Sequence, residues 1–336
     1  MSTITDVARV AGVSVATVSR ALRGLDRVSP ATRQRVLEVA AELQYVASPT
    51  ATSLASGRTR VVAVCAPFLS RWFFATLVSA IEKELRSQDH HAILFDLEND
   101  DYHSRLPLTQ NMLWKRVDGI IALDVTMTDE EIDLLDRLGL PVVAIGASIP
   151  GRPCVRIDDS AAMRTAVEHL IGLGHRRIAY IGDVPPHVPH VRTPRDRIHA
   201  FTDVMAEADL PVEPSWVLGS DWTAQAAAAD SAAVLTGSPR PTAIVAASDE
   251  MAIGVRETAR RLGLRVPQDV SVVGIDDFQL SDVLGITTVR QDVTAQGRAA
   301  ARLLLDRLLE DRVCTGDLVL PTELVVREST GPAPSD

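Results

Sequence analysis

Apolar positions along this chain follow two different rhythms. Over residues 1–45 they recur at helical spacing, in short stretches separated by turn residues. Thr3 followed three positions later by Asp6 predicts a helix start with reciprocal capping. Val7, Ala8 and Ala11 then share one face, and Gly12 ends the helix where a residue without Cβ turns freely. Ser14 offers a second N-cap, and Val18, Ala21 and Leu22 give the next helix its apolar side. Ser29-Pro30 is a cap and first-turn pair for a third helix running to about Leu43, with Val36, Leu37 and Ala40 inward; the small core closes at Tyr45. Ala8, Gly12 and Val18 have the spacing of a helix-turn-helix: small where the helices cross, glycine at the corner, β-branched where the second helix packs back. A helical hairpin packed for structural reasons alone shares this pattern.

From Arg60 onward short apolar runs alternate with helix-period segments. Residues 61–66, 92–97, 119–123 and 141–146 read as buried parallel strands, with crossover helices near 73–88, 104–116 and 129–138. The alternation resumes with strands at 177–182, 216–219, 242–247 and 270–275 and helices near 160–173, 194–208, 224–236 and 249–262. This predicts a small all-α helix-turn-helix head followed by an α/β body of two doubly wound parallel-sheet subdomains. Between head and body, Ser48-Pro49 opens a segment closed by Gly57. It is shorter than the roughly 12–15 residues an isolated helix needs in water, so a linker that becomes helical on contact is the natural reading.

The run TITDVARVAGVSVATVSRAL, the VSPATRQRV helix and the Leu54-Ala55-Ser56-Gly57-Arg58-Thr59 junction closely resemble the lac/galactose repressor family, and the resemblance extends to about Ser329. It implies a DNA-binding head over residues 1–47, a hinge over 48–58 and an effector-binding and dimerisation body over 59–330. The first subdomain would comprise 59–158 plus 289–317, and the second 159–288 plus 318–330, with periplasmic-binding-protein-like architecture. Residues 331–336 would be a disordered tail. Candidate DNA contacts are Thr3, Ser14, Val15, Ala16, Thr17, Ser19, Arg20 and Ser29 in the head. The resemblance adds Ala51 as a groove-lining residue and Leu54 as a minor-groove wedge. It also assigns operator choice to Val15 and Ala16. Pro49 departs from the family pattern, which more often has a basic or small residue there.

The net charge of −10 looks wrong for a DNA-binding protein until it is divided. Residues 1–60 hold eight arginines against four carboxylates, net +4, so the remainder carries −14. A basic head on an acidic body turns the molecule toward phosphate, and a homodimer doubles that attraction. Cys65, Cys154 and Cys314 have no CxxC spacing, which fits a reduced, cytoplasmic setting better than a disulfide or zinc scaffold. Asp6 and Arg9 interrupt any early apolar run, so no signal peptide is expected, and no apolar stretch approaches the ~18 residues of a membrane span.

Doubly wound halves also host enzymes. The first strand runs into Pro67-Phe68-Leu69-Ser70-Arg71 without glycine, and neither a phosphate loop nor a nucleophile elbow occurs. His187-x-x-His190 has metal-compatible spacing but lies between prolines without nearby cysteines or carboxylates, so a loop at a cleft rim is the better reading. Asp276-Asp277 fits acid–base work, turn capping or acceptance of ligand hydroxyls. We expect no enzyme activity, no cofactor and no metal.

Ligands of open α/β sheets bind beyond the strands' carboxyl ends. There the chain carries Arg71, Phe73 and Phe74, then Arg195 and Arg197 near a helix start, then Trp222, Ser248 and Asp276. A bidentate cation, a stacking face and a carboxylate suit a polyhydroxylated molecule, a sugar or related polyol. The resemblance matches Arg197 to the family's ligand-binding arginine, although Ala200 replaces the motif's glycine, and matches Asp276 to its acidic strand end. Trp222 stands where some sugar-responsive members carry Trp; Ser248 replaces the usual Asn. The loop from Asp277 to Ile286 departs most, which leaves the ligand's identity open. A sugar-binding protein serving a transporter would share the body but lack the head. The expected function is therefore a sequence-specific transcriptional repressor whose affinity for a pseudo-palindromic operator answers to a small effector.

Overall fold

The computed structural model describes residues 2–46, 57–97, 105–183, 192–312 and 315–334. It divides into two compact units, residues 1–60 and 61–336.

The first unit contains α1 (Ile4–Ala11), α2 (Val15–Leu22) and α3 (Pro30–Glu42). Thr3 caps α1 in a capping box with Asp6, Ser14 caps α2 through the Thr17 amide, and Ser29 caps α3 through that of Thr32. Gly12 adopts φ +68° at the corner between α1 and α2, a left-handed conformation that glycine takes without steric cost. Val7, Ala8, Ala11, Val18, Ala21, Val36, Val39 and Ala40 form the core, with Ile4, Leu22 and Tyr45 packed against it. One expectation fails: Leu37 is 44% exposed and Val39 takes its place inside. Positions 36, 39 and 40 follow the three-and-four spacing of a helical face, whereas 37 lies about 100° from 36.

The second unit opens with β1 (Val61–Ala66), α4 (Trp72–Ser87), β2 (His91–Asp96), α5 (Gln110–Leu113), β3 (Gly119–Leu123), α6 (Asp129–Leu138), β4 (Val142–Ile145) and β5 (Cys154–Ile157). It continues with α7 (Asp159–Gly172), β6 (Ile178–Gly182), α8 (Arg192–Glu207), β7 (Val217–Gly219), α9 (Ala224–Thr236), β8 (Ala243–Ala246), α10 (Asp249–Arg261), β9 (Ser271–Asp276), α11 (Gln279–Val283) and β10 (Thr287–Gln291). It closes with α12 (Val293–Glu310), β11 (Asp317–Leu320) and β12 (Thr322–Val325). The described strands form two six-stranded sheets, ordered β11-β5-β4-β3-β1-β2 and β12-β10-β9-β8-β6-β7. All pairings are parallel except β10 with β12, and β1, β3, β4, β8 and β9 are almost wholly buried, as their continuous apolar runs require. Helices α4 and α12 cover one face of the first sheet, so the late helix α12 returns to the first half as expected.

The structure moves other boundaries. The helix foreseen at 104–116 is one turn, Gln110–Leu113, because Arg105 is drawn into bonds with the Thr126 carbonyl and Glu131 and holds the preceding segment extended. Strand β10 lies wholly in the second sheet, so the chain leaves that half after Gln291 rather than near 289. Strand β11 pairs with β5 in the first sheet, so the return comes at Pro321 rather than 318. Proline lacks the N–H that would extend either ladder, which makes it a natural break between them. The tail is not disordered over 331–334: Gly331 donates its N–H to Ser271 Oγ (3.1 Å) and Ala333 donates to the Leu173 carbonyl (2.9 Å). The residues called at 48–56, His187-x-x-His190 and Cys314 lie outside the described residues.

Candidate functional site

In the head, the first turn of α2 is open. Val15 is 42% exposed, Ala16 and Arg20 are exposed, and Thr17 and Ser19 are half-buried beside them. Ser14 Oγ accepts from the Thr17 amide at 3.1 Å and lies 2.9 Å from the Thr17 hydroxyl. Thr3 and Ser29 are exposed caps of the neighbouring helices. Buried Val18 and Ala21 fix this helix from beneath, so its small side chains and one arginine are presented on a rigid face. Such a face suits apolar contact with a thymine methyl and pairing of a guanidinium with guanine. Ala51 and Leu54 lie outside the described residues.

In the body, a cleft of about 430 Å³ lies beyond the strands' carboxyl ends, lined by both sheet halves. Its second-half wall is built around Arg197, which sits in the second turn of α8 and is 3% exposed. Its guanidinium meets Asp159 Oδ1 at 2.7 Å and donates to the Ala247 carbonyl, while its Cζ stands 5.7 Å from the Trp222 ring centroid. The neighbouring Asp196 is instead the partner of Arg192 and Arg195. Asp159 opens α7, where the helix N-terminus favours its charge. Asp276 ends β9 at φ +131° and Asp277 follows at +59°, two strained positions in succession. Asp276 Oδ1 accepts from Gln291 Nε2 at 2.6 Å, and its carboxyl is pushed well up from the usual range, chiefly by burial, with Arg197 opposing. Asp277 turns aside to Arg327 and Arg290. Ser248 lines the cleft while its hydroxyl caps α10 through the Met251 amide.

The first-half wall carries Arg71, Phe73 and Phe74, which the sequence singled out. Phe74 serves two purposes, because it also belongs to the buried core under α4. Phe73 meets it edge-on with centroids 5.3 Å apart, and Arg71 stands 4.1 Å over the Phe68 ring. All seven expected cleft residues therefore line one cavity. Sequence reasoning missed several further residues of the cleft lining. Asp124 follows β3 at φ +49°, and burial, with Asp159 nearby, pushes its carboxyl up to about 6. Arg105 pairs with Glu131, and Gln291 and Gln296 floor the cleft. Asp124 stands at the end of a five-residue apolar strand, so the strand-end rule applied elsewhere points to it too. The partnership of Arg197 with Asp159, 38 positions apart, left no such trace.

Residues 3–48 match the model of bacterial regulatory proteins of the lacI family, and residues 167–330 match a periplasmic binding protein-like domain. Catabolite control protein A of Priestia megaterium is 35% identical over 334 residues, covering 98% of this chain and 99% of that protein. The chain belongs to the lacI family. Two solved structures are similar to this lacI-family protein over nearly its full length. One is the lac repressor dimer bound to operator and the anti-inducer ONPF, with TM-score 0.85, 27% identity, and coverage of 98% of this chain and 99% of that one. The other is the CelR–cellobiose complex, with TM-score 0.70, 31% identity, and coverage of 98% and 100%. With both family models matched and two six-stranded sheets in its body, this lacI-family chain is a DNA-binding regulator with a two-part α/β body.

Proposed function

We propose that this protein is a transcriptional repressor that binds a pseudo-palindromic operator as a homodimer, and that a polyhydroxylated, sugar-like effector in the body's cleft sets its operator affinity. The observation that carries the reading is the cleft itself: Arg197, Trp222 and Asp276 come from one half, Arg71, Phe73 and Asp124 from the other. A ligand touching both halves has different affinity for open and closed arrangements, and only such a difference shifts an equilibrium. The similar structures support it, since one is bound to operator and another to cellobiose.

In the head, Val15, Ala16 and Arg20 are the proposed base readers; Thr3, Ser14, Thr17, Ser19 and Ser29 contact or orient the backbone. From sequence, Ala51 lines the minor groove and Leu54 wedges a base step when two linkers pair on DNA. Closing the cleft would change the spacing of the two linkers and so the ease of that pairing. We place the protein in the cytoplasm, where its DNA and effector meet; among the described residues no helix is long and apolar enough to cross a membrane. The testing experiment is a thermal-shift screen of sugars, polyols and nucleosides on the full chain, because a ligand that binds only the native state raises its melting temperature. Each hit is then titrated against operator binding by fluorescence anisotropy. A hit that stabilises the body without moving operator affinity would refute the regulatory reading.

A further inference from the structure

The cleft contains its own selection rule for charge. Among its described lining residues stand four arginines and six carboxylates. Three of the arginines are engaged by acids: Arg105 by Glu131, Arg197 by Asp159, and Arg156 by Asp317. The fourth, Arg71, lies over the Phe68 ring, and its charge acts on Glu250, whose carboxyl burial pushes up. On the acidic side, Asp124 Oδ1 and Thr126 Oγ1 are buried and have no hydrogen-bond partner among the described residues. They sit on one stretch after β3, two positions apart. The space beside Asp124 Oδ1 is left unfilled by Gly146 at φ +78°, where a Cβ would lie 2.9 Å from that oxygen. A buried acceptor without a donor is costly, and a ligand that supplies the donor removes that cost. A phosphate or carboxylate would bring a further negative charge into a cleft where carboxylates already outnumber arginines, and it would have to compete with the partners those arginines hold.

We propose that the effector is a neutral or amine-bearing polyol that donates a hydroxyl or ammonium proton to Asp124 beside Thr126, and that sugar phosphates and sugar acids are rejected. This rests on the effector reading above and narrows it to a ligand class. A protonated amine is the best match, because it answers the Asp124 carboxylate with charge as well as a donor. Glu250 and Asp276, both pushed toward the neutral form by burial, tolerate hydroxyls nearby in either role.

The test is isothermal titration of the full-length protein with matched probes in two ring series: glucose, glucosamine and glucose 6-phosphate; galactose, galactosamine and galactose 6-phosphate. In a series that binds, the phosphate should bind about tenfold or more weakly than the neutral sugar, and the amine at least as tightly as the neutral sugar. Asp124→Asn should erase the amine's advantage, read as the ratio of amine to neutral-sugar affinity within the variant, whatever it does to both affinities together. A phosphate that binds as well as its neutral counterpart overturns the proposal and leaves the effector reading standing, as does an amine preference unchanged in Asp124→Asn. Should no probe bind, and no other sugar or polyol raise the melting temperature, the effector reading falls and this proposal with it. The wild-type comparison needs no variant, so a poorly folding Asp124→Asn protein leaves the phosphate criterion in force.

Discussion

Gln296 Nε2 donates to Gln291 Oε1 at 2.7 Å, and these two residues belong to different halves of the body. Gln296 lies on α12, which packs on the first sheet; Gln291 ends β10 of the second. Gln291 passes the link on, donating its own Nε2 to Asp276 in the cleft. Both glutamines are buried, so the chain Gln296–Gln291–Asp276 is a polar link between the two halves across the floor of the cleft. Gln296→Ala should cost about 1–3 kcal/mol of stability, the price of leaving a buried acceptor unmet. It should also change the effector's influence on operator affinity more than operator affinity alone. Urea unfolding and operator titrations with and without effector measure the two effects.

A second contact between the halves lies at the rim. Trp72, first residue of α4, meets the Phe278 ring edge-on with centroids 5.1 Å apart. Phe278 is held by Asp249, whose Oδ2 accepts from the Phe278 amide at 2.9 Å and the Ser281 hydroxyl at 2.7 Å. Removing the ring with Phe278→Ala should weaken this contact between the halves by about 0.5–1.5 kcal/mol, the usual worth of an aromatic pair, and weaken effector binding accordingly. Calorimetric affinities for wild type and variant decide it; equal values would mean the pair takes no part in closure.

Operator reading should reside in α2. Arg20→Ala should weaken specific binding by about 1–3 kcal/mol, one good base contact, and relax specificity at one position of each half-site. Exchanges at Val15 and Ala16 should change the preferred operator, because both side chains are exposed on the helix's first turn. Binding-site selection with wild type and a double exchange tests this directly, and an identical consensus would refute it.

The head was legible almost residue by residue, since caps, Gly12 and small core positions are local signals. Only Leu37 misled, an apolar residue beside the buried stripe rather than in it. In the body the continuously apolar strands were legible, but β5 and β10 were not, each carrying an arginine within the strand, nor was β11, which is largely exposed. The cleft was half legible. Residues at strand ends with unusual chemistry stood out, whereas Asp159 and Glu131 acquire their roles from partners distant in sequence, and the two glutamines from standing where the chain crosses between the sheets.

Arg197 illustrates the consequence. Its salt bridge with Asp159 is buried, so Arg197→Ala should destabilise the body by about 3–5 kcal/mol by stranding a carboxylate. Loss of effector response in that variant alone would therefore say little about binding. The double variant Arg197→Ala/Asp159→Ala removes both charges and should recover much of the stability while remaining blind to the effector. Melting curves separate the structural role from the ligand role, and a double variant that responds normally would exclude Arg197 from the site.

The last prediction concerns pH, where two sets of groups pull in opposite directions. His175 is buried, with Nδ1 2.9 Å from the Thr242 hydroxyl and Nε2 3.0 Å from Ser271 and 3.1 Å from the Gly331 carbonyl. His169 approaches the Thr330 hydroxyl at 2.9 Å. Burial lowers both imidazoles from the ordinary histidine value, so the native state binds fewer protons than the unfolded chain. Their contribution is complete above about pH 6.5 and is lost as pH falls toward the lowered native values. Asp124 has the opposite sign: raised to about 6, it holds a proton that the unfolded chain has released, so its contribution is lost as pH rises from about 4 through 6. Across the overlap the two partly cancel in the wild type. The slope of melting temperature against pH between 5 and 7.5 should therefore be less positive in His175→Gln than in wild type, and more positive in Asp124→Asn. Because His175 holds Gly331, amide exchange over residues 329–334 should also quicken in acid, well before the cleft itself opens; protection there that is unchanged between pH 7 and pH 5.5 would remove His175 from the account.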